Sequence, residues 1–220
     1  MSKKQSELKI AKAKGRPMLM WVGKQPLDRV TAWPAQHVER SETETSPDAL
    51  ANTDWSDWPD KYEHGGLLFH GDNKDVLAHL LANGFRGKIK LIYIDPPFDS
   101  GADYVRKVKL RGEFGRAKLE GEAYTLVEQV QYTDIWANDN YLQFMFERIL
   151  LLKELLCDEG VICLHCDDEK GPHLRLLLDE AFGANNFLNT VIWEYRRWPT
   201  PAPEFQKMHD TILVYAKNKG

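Results

Sequence analysis

The chain has 220 residues, 43% of them hydrophobic, and a formal net charge of −4. That is enough for one α/β domain with a real core. No run approaches the roughly 18 consecutive apolar residues of a membrane-spanning helix, and the lysine-rich start lacks the apolar stretch of a secretory signal, so a cytoplasmic protein without membrane association is expected. The three cysteines are an odd number and suggest no disulfide framework. Overall acidity argues against a large general DNA-binding surface but leaves room for a local one.

Residues 1–60 read as an amino-terminal arm and polar linker. Residues 1–16 are polar and basic, a disordered or loose arm, and 18–22 form a short strand. Residues 40–60 are polar, rich in turn residues and aperiodic, as in a loop or linker. From residue 61 the pattern becomes that of a folded domain. Residues 67–70 read as a buried strand. Asp72 or Asn73 caps a helix with Val76, Leu77, Leu80 and Leu81 inward, stopping at Gly84. Residues 90–94 are the next strand. Leu142, Met145, Phe146, Ile149, Leu152 and Leu156 then recur at helical spacing until Gly160.

Residues 161–166 read as a strand. Pro172 opens a helix that buries Leu174, Leu177, Leu178 and Phe182 and ends at Gly183. Residues 191–195 and 211–215 are strands joined without a helix, hence an antiparallel pair at one edge. Strands alternating with helices imply an α/β fold with a mainly parallel, doubly wound sheet. Cys163 and Cys166, with His165 between and His173 beyond, could suggest zinc, but the two cysteines fall on opposite faces of their strand, because side chains alternate and the separation is odd, so a shared site is disfavoured and no metal is expected.

The run Leu91-Ile92-Tyr93-Ile94-Asp95-Pro96-Pro97-Phe98 carries the chemistry. Two adjacent prolines donate no N–H and fix φ, so they end the ladder in a stiff corner. That corner lies at the carboxyl end of a strand, where open α/β sheets place ligands. It offers an acceptor (Asp95), backbone carbonyls and a flat apolar face (Phe98). The set suits a planar group with an exocyclic amine, such as adenine.

Asp-Pro-Pro-Phe after a hydrophobic strand resembles the motif of S-adenosylmethionine-dependent amino-methyltransferases acting on DNA adenine. Gly71-Asp72-Asn73, Ser100-Gly101, the 144–148 helix, 160–164, Asp167-Asp168, Ile192-Trp193 and the closing 209–218 segment are similar to that family too. Their order resembles the permuted (beta) class, especially the modification subunits of type III restriction systems, over roughly 65–218. The resemblance implies a Rossmann-like methyltransferase fold, S-adenosylmethionine as cofactor and DNA as partner. Within it, Asp95 and the Pro96 carbonyl accept hydrogen bonds from the target amine, Pro97 stiffens the corner, and Phe98 stacks on a base that has left the duplex.

The resemblance also implies that Asp72 contacts the donor's adenine, while a simple helix cap explains Asp72 equally. It places Phe144 and Arg148 beside the donor pocket, although spacing alone gives only an amphipathic helix. Arg106, Lys107, Lys109, Arg111, Arg116 and Lys118 form a basic loop suited to the backbone of a flipped strand, or a solvated charged loop. Arg196, Arg197 and Trp198 make a second candidate DNA contact. Asp99-Ser100-Gly101 departs from the commoner Asn-Thr-Gly by adding a carboxylate.

In the permuted class a glycine-rich donor loop follows the target-recognition region, and neither occurs here. The expectation is therefore an incomplete sheet, the target-base half of a longer enzyme, inactive alone and completed by a carboxyl-terminal half or accompanied by a restriction subunit. Cytosine-N4 methylation and a non-catalytic remnant are the alternatives.

Overall fold

In the computed structural model the described residues are 6–13, 15, 17–35, 68–97, 103–107, 128–133, 140–196 and 205–220. Two short strands near the start, β1 (Ser6–Lys9) and β2 (Arg29–Ala32), pair antiparallel. Helix α1 (Asn73–Ala82) starts where Asp72, extended at φ −62°, accepts a hydrogen bond from the Lys74 amide. That side chain satisfies one orphan donor of the first turn. Strand β3 (Ile89–Ile94) follows, then a separate antiparallel ribbon of β4 (Asp103–Lys107) and β5 (Glu128–Thr133).

Helix α2 (Asn140–Leu155) passes directly into β6 (Leu156–Cys166), and α3 (Gly171–Phe182) leads to β7 (Phe187–Glu194) and β8 (His209–Ala216). Proline in the first turn of α3 and Gly183 (φ +93°) after its last turn set its two ends.

The main sheet has the order β3-β6-β8-β7. Only β3 and β6 pair in parallel, whereas β8 is antiparallel to both β6 and β7. A mainly parallel sheet was expected; the described sheet is mixed. The reason lies in the connections. β3, β6 and β7 all run the same way, but the helix-free return after β7 brings β8 back in the opposite direction, and β8 inserts between β6 and β7. The expected antiparallel pair at one edge is present.

Two further readings are corrected. Residues 68–70 are not a strand, and Leu68 is exposed, because no described strand offers this segment a ladder. β6 also begins earlier than Gly160 suggests: Leu156 already pairs with Ile89, and a register shift follows before Leu91 meets Val161.

Alternation along the strands separates two faces. Ile162, Leu164 and Cys166 of β6 and Leu213 and Tyr215 of β8 are buried on one, against α2 and α3, which also pack on each other. The other face carries Leu91, Tyr93, Val191 and Trp193, the last 59% exposed. Helix α2 is buried nearly all round, with Tyr141, Met145, Phe146, Ile149, Leu151 and Leu155 in the core, because α1 flanks it on one side and α3 on another. The inward residues of α1 are Ala78 and Leu81, with Leu77 and Leu80 packed at the margin; Val76 is outside the cluster.

The described part of the amino-terminal segment is packed rather than loose. Ile10, Leu27, Val30 and Ala32 belong to the core. At Gly15 the backbone passes so close to the end of α3 that an added Cβ would lie 2.1 Å from the Asp179 carbonyl oxygen, a close approach that glycine alone permits. Lys24 Nζ reaches Glu180 Oε1 at 2.6 Å with both side chains nearly buried, donates to the Leu19 carbonyl, and lies over the rings of Trp21 and Phe146. The Leu19 amide donates to the second Glu180 oxygen. The reading of 40–60 as a linker lies outside the described residues.

Removing one partner of a buried ion pair strands the other's charge. Lys24→Met is therefore expected to destabilise the chain by about 3–5 kcal/mol, read as a lowered urea midpoint. A midpoint within experimental error of the parent would show that the amino-terminal segment contributes nothing through this contact.

Candidate active site

Parallel strands and the helices that precede them bring several chemically active groups to one edge of the sheet. The carboxyl ends of β3, β6 and β7 and the amino end of β8 share that edge. Asp95 stands one residue beyond β3, with its side chain 60% exposed. Pro96 and Pro97 follow without strand structure, as two residues lacking N–H donors must. Phe98, the last of the four corner residues, lies outside the described residues.

On the neighbouring strand, His165 sits on the same face as Cys163, opposite Cys166. Its Nδ1 is 3.2 Å from Asp95 Oδ1, and its Nε2 is 3.3 Å from Asp210 Oδ2 on β8. The Tyr195 hydroxyl donates to the other oxygen of Asp210 at 3.2 Å. The sequence offers His165 only as a disfavoured zinc ligand between Cys163 and Cys166, and marks neither Tyr195 nor Asp210 as a site residue. The available signal was positional: His165 is the penultimate residue of a strand parallel to the one that ends just before Asp95, and Asp210 is the second residue of an antiparallel strand, which puts it at the same edge.

Asp72, Phe144 and Arg148, expected near a donor pocket, form one cluster where α1 begins and α2 makes its first turns. Arg148 is buried, and its Nη2 donates to both Asp72 oxygens at 3.1 Å. Its Nε donates to Asn73 Oδ1 and its Nη1 to the Phe144 carbonyl, while the guanidinium lies 3.4 Å from the centre of the Phe144 ring. Burial lowers the pKa of this guanidinium, and the Asp72 carboxylate works the other way. Asp72 thus caps α1 and ties α1 to α2, yet its side chain remains 56% exposed.

The two basic segments are placed only in part. Arg106 and Lys107 belong to β4, opposite Gln129 and Glu128 of β5, so this stretch is a β-ribbon and not the expected loop. Tyr104 and Val105, both strand formers, account for the difference. Lys109, Arg111, Arg116 and Lys118 lie outside the described residues. Arg196 is exposed just after β7, and Arg197 and Trp198 fall outside.

The turn after β6 carries further charge. Desolvation raises the Asp167 carboxyl, an effect that the hydrogen bond from the Lys170 amide partly offsets. Lys207 bonds to Asp168 and Glu169, each at 3.0 Å, and these bonds push its ammonium up to about 12. Cys163 and Cys166 both have thiols raised by burial, and Cys166 Sγ lies 3.3 Å from the Thr211 hydroxyl on the opposite face. Burial, with help from Asp95, also raises the Tyr93 phenol. No group of three or more potential ligands that could hold a metal ion occurs among the described residues.

Comparison with known proteins gives a consistent result. Residues 89–220 match the family model described as DNA methylase. The chain is 32% identical over 189 residues to the Mod subunit of the type III restriction-modification enzyme StyLTI of Salmonella typhimurium, covering 81% of this chain and 27% of that protein. It is 34% identical over 161 residues to the EcoPI Mod subunit of Escherichia phage P1 and 32% over 162 to the EcoP15I Mod subunit of Escherichia coli. Each of these covers 70% of this chain and 24% of the relative. The chain thus spans about a quarter of the length of these curated relatives.

The raised thiols have a consequence for stability. A group whose folded pKa exceeds its unfolded value stabilises the fold fully below the unfolded value, here 9.0, and loses that contribution as pH rises through the folded value. Urea midpoints are expected to fall as pH rises above 9.0. Replacing Cys163 and Cys166 by Ala should flatten the decline. A decline of equal size in that variant would assign it to other groups.

Proposed function

Because the chain belongs to the DNA methylase family, we propose that it builds the target-base side of a site that methylates N6 of adenine in DNA within a restriction-modification system. In this reading residues 61–220 are the target-base half of the catalytic domain and 1–60 an amino-terminal segment ahead of it. The partners are DNA and either a restriction subunit or a carboxyl-terminal half carrying the remainder of the donor site. The observation that carries the reading is the corner after β3, where the exposed Asp95 carboxylate stands at the sheet edge and Pro96 and Pro97 follow without strand structure.

Adenine N6 is a poor nucleophile because its lone pair is delocalised into the ring. Acceptance of its two N–H bonds by Asp95 and the Pro96 carbonyl biases the nitrogen towards tetrahedral geometry and localises that pair. As N6 gains a methyl group it carries positive charge and then sheds one proton. The Asp95 carboxylate stabilises that charge electrostatically and need not be a strong base. Phe98 stacks on the extruded base.

S-adenosylmethionine, when bound, supplies the electrophilic methyl on a sulfonium centre. Its adenosine fits the Asp72–Phe144–Arg148 cluster in chemistry: the half-exposed Asp72 side chain can accept from an exocyclic amine, and Arg148 fixes it in place. Arg106, Lys107, Lys109, Arg111, Arg196 and Arg197 supply the phosphate contacts.

Asp95→Ala, made in the protein as its host produces it, is expected to abolish methyl transfer to DNA while leaving DNA affinity largely intact, since the lost acceptor acts in the transition state. Phe98→Ala should weaken capture of the flipped base by about 1–3 kcal/mol, reported by 2-aminopurine fluorescence at the target, and Phe98→Tyr should be tolerated. Parent-like turnover by Asp95→Ala would remove the assignment.

A further inference from the structure

The catalytic corner is held from behind by groups that three other strands deliver. β6 pairs with β3 through Ile94 and Leu164, so the next residue on each strand, Asp95 and His165, meet at the edge. β6 pairs with β8 through His165 and Ile212, and Asp210, two residues along on the same face, reaches the far side of the imidazole. The Tyr195 amide bonds to the Met208 carbonyl, which brings its hydroxyl to Asp210. The resulting order is Asp95, His165, Asp210, Tyr195. Exposure falls behind the corner, from 60% at Asp95 to 17% at His165 and 21% at Asp210.

An exposed aspartate on a short side chain would otherwise sample several rotamers. We propose that His165, itself oriented by Asp210 and Tyr195, is a positioning residue that binds one oxygen of Asp95 and fixes the other to receive the target amine. A neutral imidazole carries one N–H and can donate to only one of two flanking carboxylates; the imidazolium donates to both. Tyr195 holds Asp210 by its second oxygen, so the imidazole meets a fixed partner on that side. Misplacement of a catalytic group by a fraction of an ångström lowers kcat without weakening substrate binding. The inference rests on the reading of Asp95 given above.

The test uses the host-produced protein in a methyl-transfer assay. His165→Ala is expected to lower kcat by roughly ten- to hundredfold, with KM for DNA and for the methyl donor within about twofold. Asp210→Asn should give a smaller fall of the same kind. Full turnover by Asp95→Ala would remove the underlying reading. A dead Asp95→Ala beside a parent-like His165→Ala would overturn this proposal alone.

If His165→Ala unfolds, His165→Gln retains a donor amide and should recover part of kcat. No recovery in a folded His165→Gln variant, or an increased KM with kcat unchanged, also overturns it. Independently of activity, ring-nitrogen NMR of the host-produced protein should show the His165 signals moving in both Asp95→Asn and Asp210→Asn. Unmoved signals would show that the imidazole contacts neither carboxylate in solution.

Discussion

Parallel pairing of β3 with β6 obliges the chain to leave the sheet after Ile94 and return through a crossover that places both strand ends on the same side. That constraint determines most of what surrounds the corner. It makes α2 the crossover helix, buried against its neighbours. Asp72, Phe144 and Arg148 meet where α1 packs on α2. The prolines after Asp95 then keep the chain from extending the ladder past the point of use.

The helices were legible because their ends are chemically marked. Asp72 capped α1 as its side chain allows, Pro172 and Gly183 bounded α3, and the hydrophobic spacing of α2 held through Leu155. Features that depend on partners distant in sequence were not legible. Nothing local says that β8 inserts between β6 and β7, since a strand's own residues do not encode its neighbour. Leu68 reads as a buried strand residue by composition, yet burial requires a pairing partner, and among the described residues none is present.

The same limit applied to the site and to the amino-terminal segment. The cluster of Asp72, Phe144 and Arg148 could be named because the family resemblance supplied it. The contact between His165 and Asp210 could not, because its partners meet only through strand register. Lys24 carries no local signal of burial. Its burial follows from Glu180 on α3, which also lacks any local signal of being inward.

The register between β6 and β8 gives the site an order of assembly. His165 and Asp210 are 45 residues apart in sequence and touch only after α3 has crossed over and the β7–β8 return has closed. Contacts of such separation are reached late, because loop closure must precede them. The exposed carboxylate of Asp95 is therefore restrained only once β3, β6 and β8 are all paired. A partly folded chain can display the Asp-Pro-Pro corner but hold it slackly, which ties geometric competence to completion of the sheet.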